Sequence, residues 1–162
     1  METKHWLKQY DEGVPHSLKP YPERTLLDIV RDNALERGDH PALSFKGASL
    51  SYGELDRLSN VFAAVLAAQG VKKGDRVALL MPSCPQFVIA QLGAWKAGAI
   101  AVSINPLYIE HELPELLTLC GAETAVVLTP FYQKVKAAQP HTGLRRVIAT
   151  DITVRKWPCS QN

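Results

Sequence analysis

The feature that most constrains the fold is an alternation of short apolar runs with helical segments between residues 76 and 150. The runs read RVALLM (76–81), AIAVSI (99–104), TAVVL (124–128) and RVIAT (146–150). Continuous apolar runs of this length are typical of strands buried on both faces of a parallel sheet. Helical segments are expected at residues 85–97, 113–120 and 131–138. The alternation predicts an α/β fold, an open and mainly parallel sheet with helices on both faces, as a partial three-layer αβα arrangement.

A helix and a hairpin are expected ahead of this sheet. Thr25 and Asp28 have the spacing of a capping box, and so do Ser51 and Glu54, so each pair predicts the start of a helix. The intervening sequence PALSFKGASLSY alternates apolar with polar residues on either side of Gly47. It therefore predicts a short antiparallel hairpin.

Three segments of different character divide the chain. Residues 1–24 are polar and contain three prolines, which predicts an extended N-terminal segment. Residues 25–152 hold the predicted helices and strands and form one domain. Residues 153–162, TVRKWPCSQN, have no helical period and no capping signal, so we expect an unstructured, aberrant tail that interrupts the domain pattern.

Composition excludes several classes of protein. The chain is 46% hydrophobic with a net charge of +2, and its basic residues are interspersed with acidic ones, which disfavours a nucleic-acid partner. Its cysteines, Cys84, Cys120 and Cys159, are far apart and form no C-x-x-C pair, so neither a disulfide framework nor a zinc site is expected. Together with the absence of a signal-peptide pattern, they favour the cytoplasm.

One long apolar stretch, residues 87–104, raises the question of a transmembrane segment. It reads FVIAQLGAWKAGAIAVSI and contains a single charge, Lys96. A helix that stops at Gly98 and a short following strand account for it better than a membrane span does. We therefore expect no transmembrane segment.

The best candidates for contact with a ligand follow the predicted strands. In an open α/β sheet, ligands bind beyond the carboxyl ends of the strands, where Ser83, Asn105 and Tyr108 are expected. A structural alternative accounts for two of them: Ser83 could cap a helix, and Asn105 with Pro106 could form a turn. We favour this alternative, because both roles suit these residue types.

Other possible sites lack the chemistry they would need. Gly93 and Gly98 have the spacing of a phosphate loop, but the Lys and Ser/Thr that should follow are absent and the helix precedes the strand. His111 stands between two glutamates, yet adjacent side chains on a helix diverge and do not converge on a metal. Cys84 has no identifiable base beside it, which favours a packing or capping role. No catalytic residue and no metal site are expected.

Several longer stretches are similar to one family of enzymes. They are WLKQYDEGVPHSL, TLLDIVRDNALERGDHPAL, LSYGELDRLSN and GVKKGDRVALLMPSCPQFVIAQLGAWKAGAIAVSINPLYIEHEL. Together they resemble the N-terminal portion of bacterial long-chain fatty-acid–CoA ligases, which belong to the adenylate-forming superfamily. The resemblance covers about residues 6–150.

The resemblance implies a reaction and its cofactors. Such ligases use ATP and magnesium to convert a fatty acid to an acyl-adenylate with loss of pyrophosphate, and then transfer the acyl group to coenzyme A. The family's phosphate loop, which ends in Pro-Lys-Gly, its ribose-binding aspartate and its C-terminal domain with a catalytic lysine have no counterpart in these 162 residues. No family catalytic residue carries over, and we expect this chain to be inactive alone and to bind no cofactor by itself.

Two hypotheses remain besides the one that the chain is an inactive portion of a ligase. The chain could be a standalone α/β binding or interaction module, or, less favoured because it lacks a phosphate loop, a small flavodoxin-like nucleotide binder. A sheet that belongs to a larger domain leaves an unpaired apolar edge. We therefore expect the isolated chain to be marginally stable and to self-associate.

Overall fold

The computed structural model describes residues 4–108 and 111–152, and the tail expected at residues 153–162 lies outside them. Within residues 4–24, only Leu7 is partly buried, and one 3-10 turn, His5–Gln9, interrupts an otherwise irregular chain. The turn contains no proline, and the three prolines of this segment all follow it.

The first helix and the hairpin form where the capping box at Thr25 and the alternation around Gly47 predict them. Helix α1 is Leu26–Glu36, and the Thr25 hydroxyl accepts a hydrogen bond from the backbone N–H of Asp28 at 3.1 Å. Strands β1 (Pro41–Phe45) and β2 (Ala48–Ser51) pair antiparallel. Lys46 and Gly47 both adopt positive φ, at 47° and 78°. This left-handed pair matches the right-handed twist of a two-residue hairpin.

Helix α2, Tyr52–Ala68, begins at the second capping box and packs against helix α3, Pro85–Lys96. A polar cluster joins the two helices. Lys96 Nζ donates to Asp56 Oδ1 at 2.7 Å, to Ser59 Oγ at 2.8 Å and to Asn60 Oδ1 at 2.8 Å. The one charge of the apolar stretch is therefore paired between two helices, its side chain 15% exposed.

The main sheet confirms the predicted parallel architecture. Its strands are β3 (Arg76–Leu80), β4 (Ile100–Ser103), β5 (Thr124–Leu128) and β6 (Arg146–Thr150), and they lie in the order β4-β3-β5-β6. All three pairings are parallel. Helices α4 (Leu113–Cys120) and α5 (Tyr132–Ala138) complete the alternation, with 3-10 turns at Thr129–Phe131 and Gln139–His141.

Different helices cover the two faces of the sheet. On one face, Val77, Leu79 and Met81 pack with Ala90 and Ala94 of α3. On the other face, the alternate β3 residues pack with α4 and α5, in a cluster that contains Ala78, Leu80, Leu113, Leu117 and Val135. Burial on both faces explains why β3 and β5 are continuous apolar runs rather than alternating ones.

The long apolar stretch is divided between a helix and a strand, as expected. Its first part belongs to α3, Gly98 follows the helix end at φ +77°, and its last part belongs to β4. Across the described parts of the chain, no helix has the length and apolar character needed to cross a membrane.

Candidate functional site

The strand order creates one crevice at the carboxyl edge of the sheet. After β3 the chain crosses to the face that carries α3, whereas after β5 it crosses to the face that carries α5. The connection that follows β3 and the connection that follows β5 therefore run on opposite faces of the sheet. Such a switch point is where open α/β sheets bind ligands.

Ser83 lies in the loop that follows β3 and is exposed. Cys84, not Ser83, occupies the N-cap position of α3: its carbonyl accepts from Phe87 N at 3.0 Å, and its side chain makes no capping hydrogen bond. The capping role considered for Ser83 is therefore wrong. Cys84 as a whole is only 5% exposed, consistent with the packing role expected of it. Ser83 lines a cavity of about 310 Å³ between the hairpin and α3, with Leu43, Ser44, Phe45, Cys84, Pro85, Phe87 and Val88.

Asn105 and Tyr108 lie in the loop that follows β4, and the turn expected there is present. Asn105 Oδ1 accepts from the backbone N–H of Leu107 at 3.0 Å, which is an Asx turn. Tyr108 N donates to Asn105 O at 3.3 Å, and Tyr108 as a whole is 41% exposed. No hydrogen bond among the described residues joins either of them to Ser83, so their role in ligand contact stays a prediction.

Two hydrogen bonds that the sequence did not predict lie at the carboxyl edge of the sheet. Gln86 Nε2, in the first turn of α3, donates to Asp151 O at 3.0 Å. Thr129 Oγ1, just after β5, donates to Thr150 O at 3.2 Å. Gln86 Oε1 is buried and accepts no hydrogen bond within the described part of the chain. This buried oxygen in the first turn of α3 is therefore an unpaired acceptor within the described residues, and leaving it unmatched costs about 1–3 kcal/mol.

The described residues offer no metal-binding cluster at this crevice. Among residues 4–108 and 111–152, no three His, Cys, Asp or Glu side chains lie close enough to hold a metal ion. His111 is exposed in the turn before α4, while its neighbour Glu110 lies outside the described residues. Gly93 is buried within α3 and Gly98 follows that helix, so the pair that has phosphate-loop spacing forms no loop.

The one clear pKa shift in the described residues belongs to a helix cap. The backbone N–H of Thr25, and then its hydroxyl, donate to the Asp28 carboxylate and lower its pKa below the usual 3.8. Arg31 and Arg24 act in the same direction. Asp28 is in the first turn of α1, so this shift belongs to helix capping and not to the crevice.

Comparison with known proteins assigns the family. The family model described as AMP-binding enzyme matches residues 30–162. The chain belongs to this AMP-binding enzyme family. It is 42% identical over 126 residues to the long-chain-fatty-acid–CoA ligase of Bacillus subtilis (strain 168), covering 78% of this chain and 22% of that ligase. It is 37% identical over 148 residues to the Yersinia pestis ligase of the same name, covering 91% of this chain and 26% of that one.

Solved structures of AMP-binding enzymes share the fold. A long-chain-fatty-acid–CoA ligase from Archaeoglobus fulgidus superposes with a TM-score of 0.77 at 27% identity, covering 91% of this chain and 31% of that one. The resemblance noted from the sequence is thereby confirmed at the level of the long-chain ligases. The chain spans about a quarter of the length of the two curated relatives.

Proposed function

We propose that residues 25–152 form the first βα units of the adenylation domain in a long-chain fatty-acid–CoA ligase. The observation that carries the proposal is the 42% identity to the Bacillus subtilis ligase over 126 residues. The reaction of such a ligase joins a fatty acid to coenzyme A, with ATP converted to AMP and pyrophosphate in the presence of magnesium. Cysteines without a C-x-x-C pair favour a cytoplasmic setting.

Within that enzyme we propose a scaffolding role for this chain. Stabilising the charge that develops in adenylate formation requires phosphate-binding amides, a lysine and a magnesium ligand. The sequence has no phosphate loop that ends in Pro-Lys-Gly. We expect these residues to contribute the sheet edge and the Gln86 acceptor, against which such groups would be assembled. ATP, magnesium and coenzyme A would bind only to the complete enzyme.

A chimera tests this function. The chain replaces the matched stretch of the Bacillus subtilis ligase, and ATP–pyrophosphate exchange is measured with a long-chain fatty acid for the chimera and for the chain alone. We expect exchange by the chimera and none above background by the isolated chain. Exchange by the isolated chain would overturn the scaffolding role, and a folded chimera without exchange would overturn membership in a functional ligase.

The alternative, a standalone binding module, rests on a different observation. The cavity of about 310 Å³ beside Ser83 is at the lower end of the size of small-molecule sites. This alternative predicts an inactive chimera and an isolated chain that unfolds cooperatively as a monomer. Light scattering together with urea unfolding separates the two proposals.

A further inference from the structure

Lys134 lies in the first turn of α5 and reaches the loop that follows β4. Its Nζ donates to Pro106 O at 3.4 Å, between residues 28 positions apart, and the bond is partly buried. None of the ion pairs among the described residues involves Lys134. Its ammonium group is therefore directed to a backbone carbonyl, with no described carboxylate within ion-pair distance.

Stabilisation of the helix itself does not explain this lysine. Lys134 is the third residue of α5, whose first turn contains no acidic residue. The first turn of a helix favours negative charge, whereas cations are favoured in the last turn, where Lys136 lies. Lys134 therefore gains nothing from the helix dipole, which points to its contact with the loop as the reason for a cation at this position.

The contact starts from an element that the core holds in place. Val135 and Ala138 of α5 are buried in the cluster that also contains Ile104, the residue just before the loop. Tyr132 packs against the same cluster. Because α5 is fixed to the sheet in this way, Lys134 can hold the loop in a fixed position relative to the sheet.

The loop, which we call the 105–108 turn, has little else to hold it. Leu107 N donates to Asn105 Oδ1 at 3.0 Å and Tyr108 N donates to Asn105 O at 3.3 Å, so both bonds are internal to the turn. Leu107 is 78% exposed. Of the hydrogen bonds described for this turn, only the one from Lys134 comes from another element. Its position therefore depends on that lysine.

We propose that Lys134 is a positioning residue of the ligase: through Pro106 O it holds the 105–108 turn in one place at the carboxyl edge of the sheet, where substrate then meets a preorganised surface. The inference rests on the proposed function. Ligands of open α/β sheets bind beyond this edge, and a loop already held in its bound geometry avoids an ordering cost on binding. Loss of Lys134 should therefore weaken substrate binding rather than slow the chemical step.

Amide hydrogen exchange in the full 162-residue chain tests the contact itself. Lys134→Met keeps an unbranched side chain and removes the donor, so the amides of Leu107 and Tyr108 should exchange about three to ten times faster. Lys134→Arg can still donate to the carbonyl and should restore exchange to within about twofold of the parent chain. Lys136→Met is the matched control, because Lys136 Nζ donates to Gln139 Oε1 and not to the turn. It should leave these amides unchanged.

The same substitutions in the chimera with the Bacillus subtilis ligase separate binding from chemistry. KM and kcat are measured for the fatty acid, ATP and coenzyme A in turn. We expect Lys134→Met to raise the KM of at least one substrate about threefold or more and to leave kcat within about twofold. Lys134→Arg and Lys136→Met should leave every KM within about twofold of the parent chimera.

Each other outcome overturns one specific statement. Unchanged amide exchange in Lys134→Met, or faster exchange that Lys134→Arg does not restore, refutes the contact between Lys134 and the turn. Faster exchange throughout the chain, together with a lower urea midpoint, shows a merely structural lysine and also refutes the proposal. Faster exchange of the turn with every KM unchanged overturns the positioning role, while activity of the parent chimera leaves the proposed function standing. A folded parent chimera without activity overturns the proposed function, whatever the turn does.

Discussion

Replacing Gly93 with alanine tests the close packing of α2 against α3 quantitatively. A Cβ atom at this position would lie 2.7 Å from Phe62 Cδ1, 3.1 Å from Phe62 Cβ and 3.1 Å from Ser59 O. The Phe62 ring can rotate away from the added methyl group. The Phe62 Cβ and the Ser59 carbonyl move only if the two helices separate.

Two opposing effects set the magnitude. Alanine is favoured over glycine in a helix interior by about 1 kcal/mol. Inserting a carbon into a packed core costs about 1–3 kcal/mol, and the two immobile contacts favour the upper half of that range. We expect a net loss of about 1–2 kcal/mol in the free energy of unfolding, equivalent to a fall of about 2–8 °C in Tm for a chain of this size.

The assay is urea unfolding followed by circular dichroism, with two further variants. Gly143→Ala is the matched control, since a Cβ there meets nothing within 4 Å. In a Phe62→Ala background, Gly93→Ala should keep most of its cost, because the contacts with the Cβ of residue 62 and with the Ser59 carbonyl remain. A stability gain of about 1 kcal/mol in the parent background would show that helix propensity alone operates and would refute the packing argument.

Two further substitutions test polar contacts. Lys96→Met should lower the free energy of unfolding by about 2–3 kcal/mol, since its charged hydrogen bonds to Asp56 and Ser59 are lost; a change below about 0.5 kcal/mol in urea unfolding would contradict this. Because its pKa is lowered in the folded state, the ionised Asp28 carboxylate contributes its full stabilisation above pH 3.8. This contribution is lost as the pH falls below that value through the folded-state pKa. Asp28→Asn should abolish this part of the pH dependence, which is measured by the amide chemical shifts of α1. If α1 titrates in acid as before in this variant, the assignment of the titration to Asp28 is wrong.

Sequence patterns predicted the elements because their signals are local. The capping boxes at Thr25 and Ser51 depend on residues three positions apart, and both hydrogen-bond pairs are present. Burial on both faces of β3 and β5 follows from their continuous apolar runs. The Asx turn at Asn105 likewise depends on a partner two residues away.

The sequence alone determined that this chain would form a parallel α/β sheet and to which enzyme family it is similar. Only the tertiary structure decided the strand order, the pairing of Lys96 with Asp56, and the crevice contact between Gln86 and Asp151, residues 65 positions apart. The physical reason is that periodicity and capping report interactions within one element. A crossover, in contrast, brings together residues whose separation along the chain carries no signal of their contact.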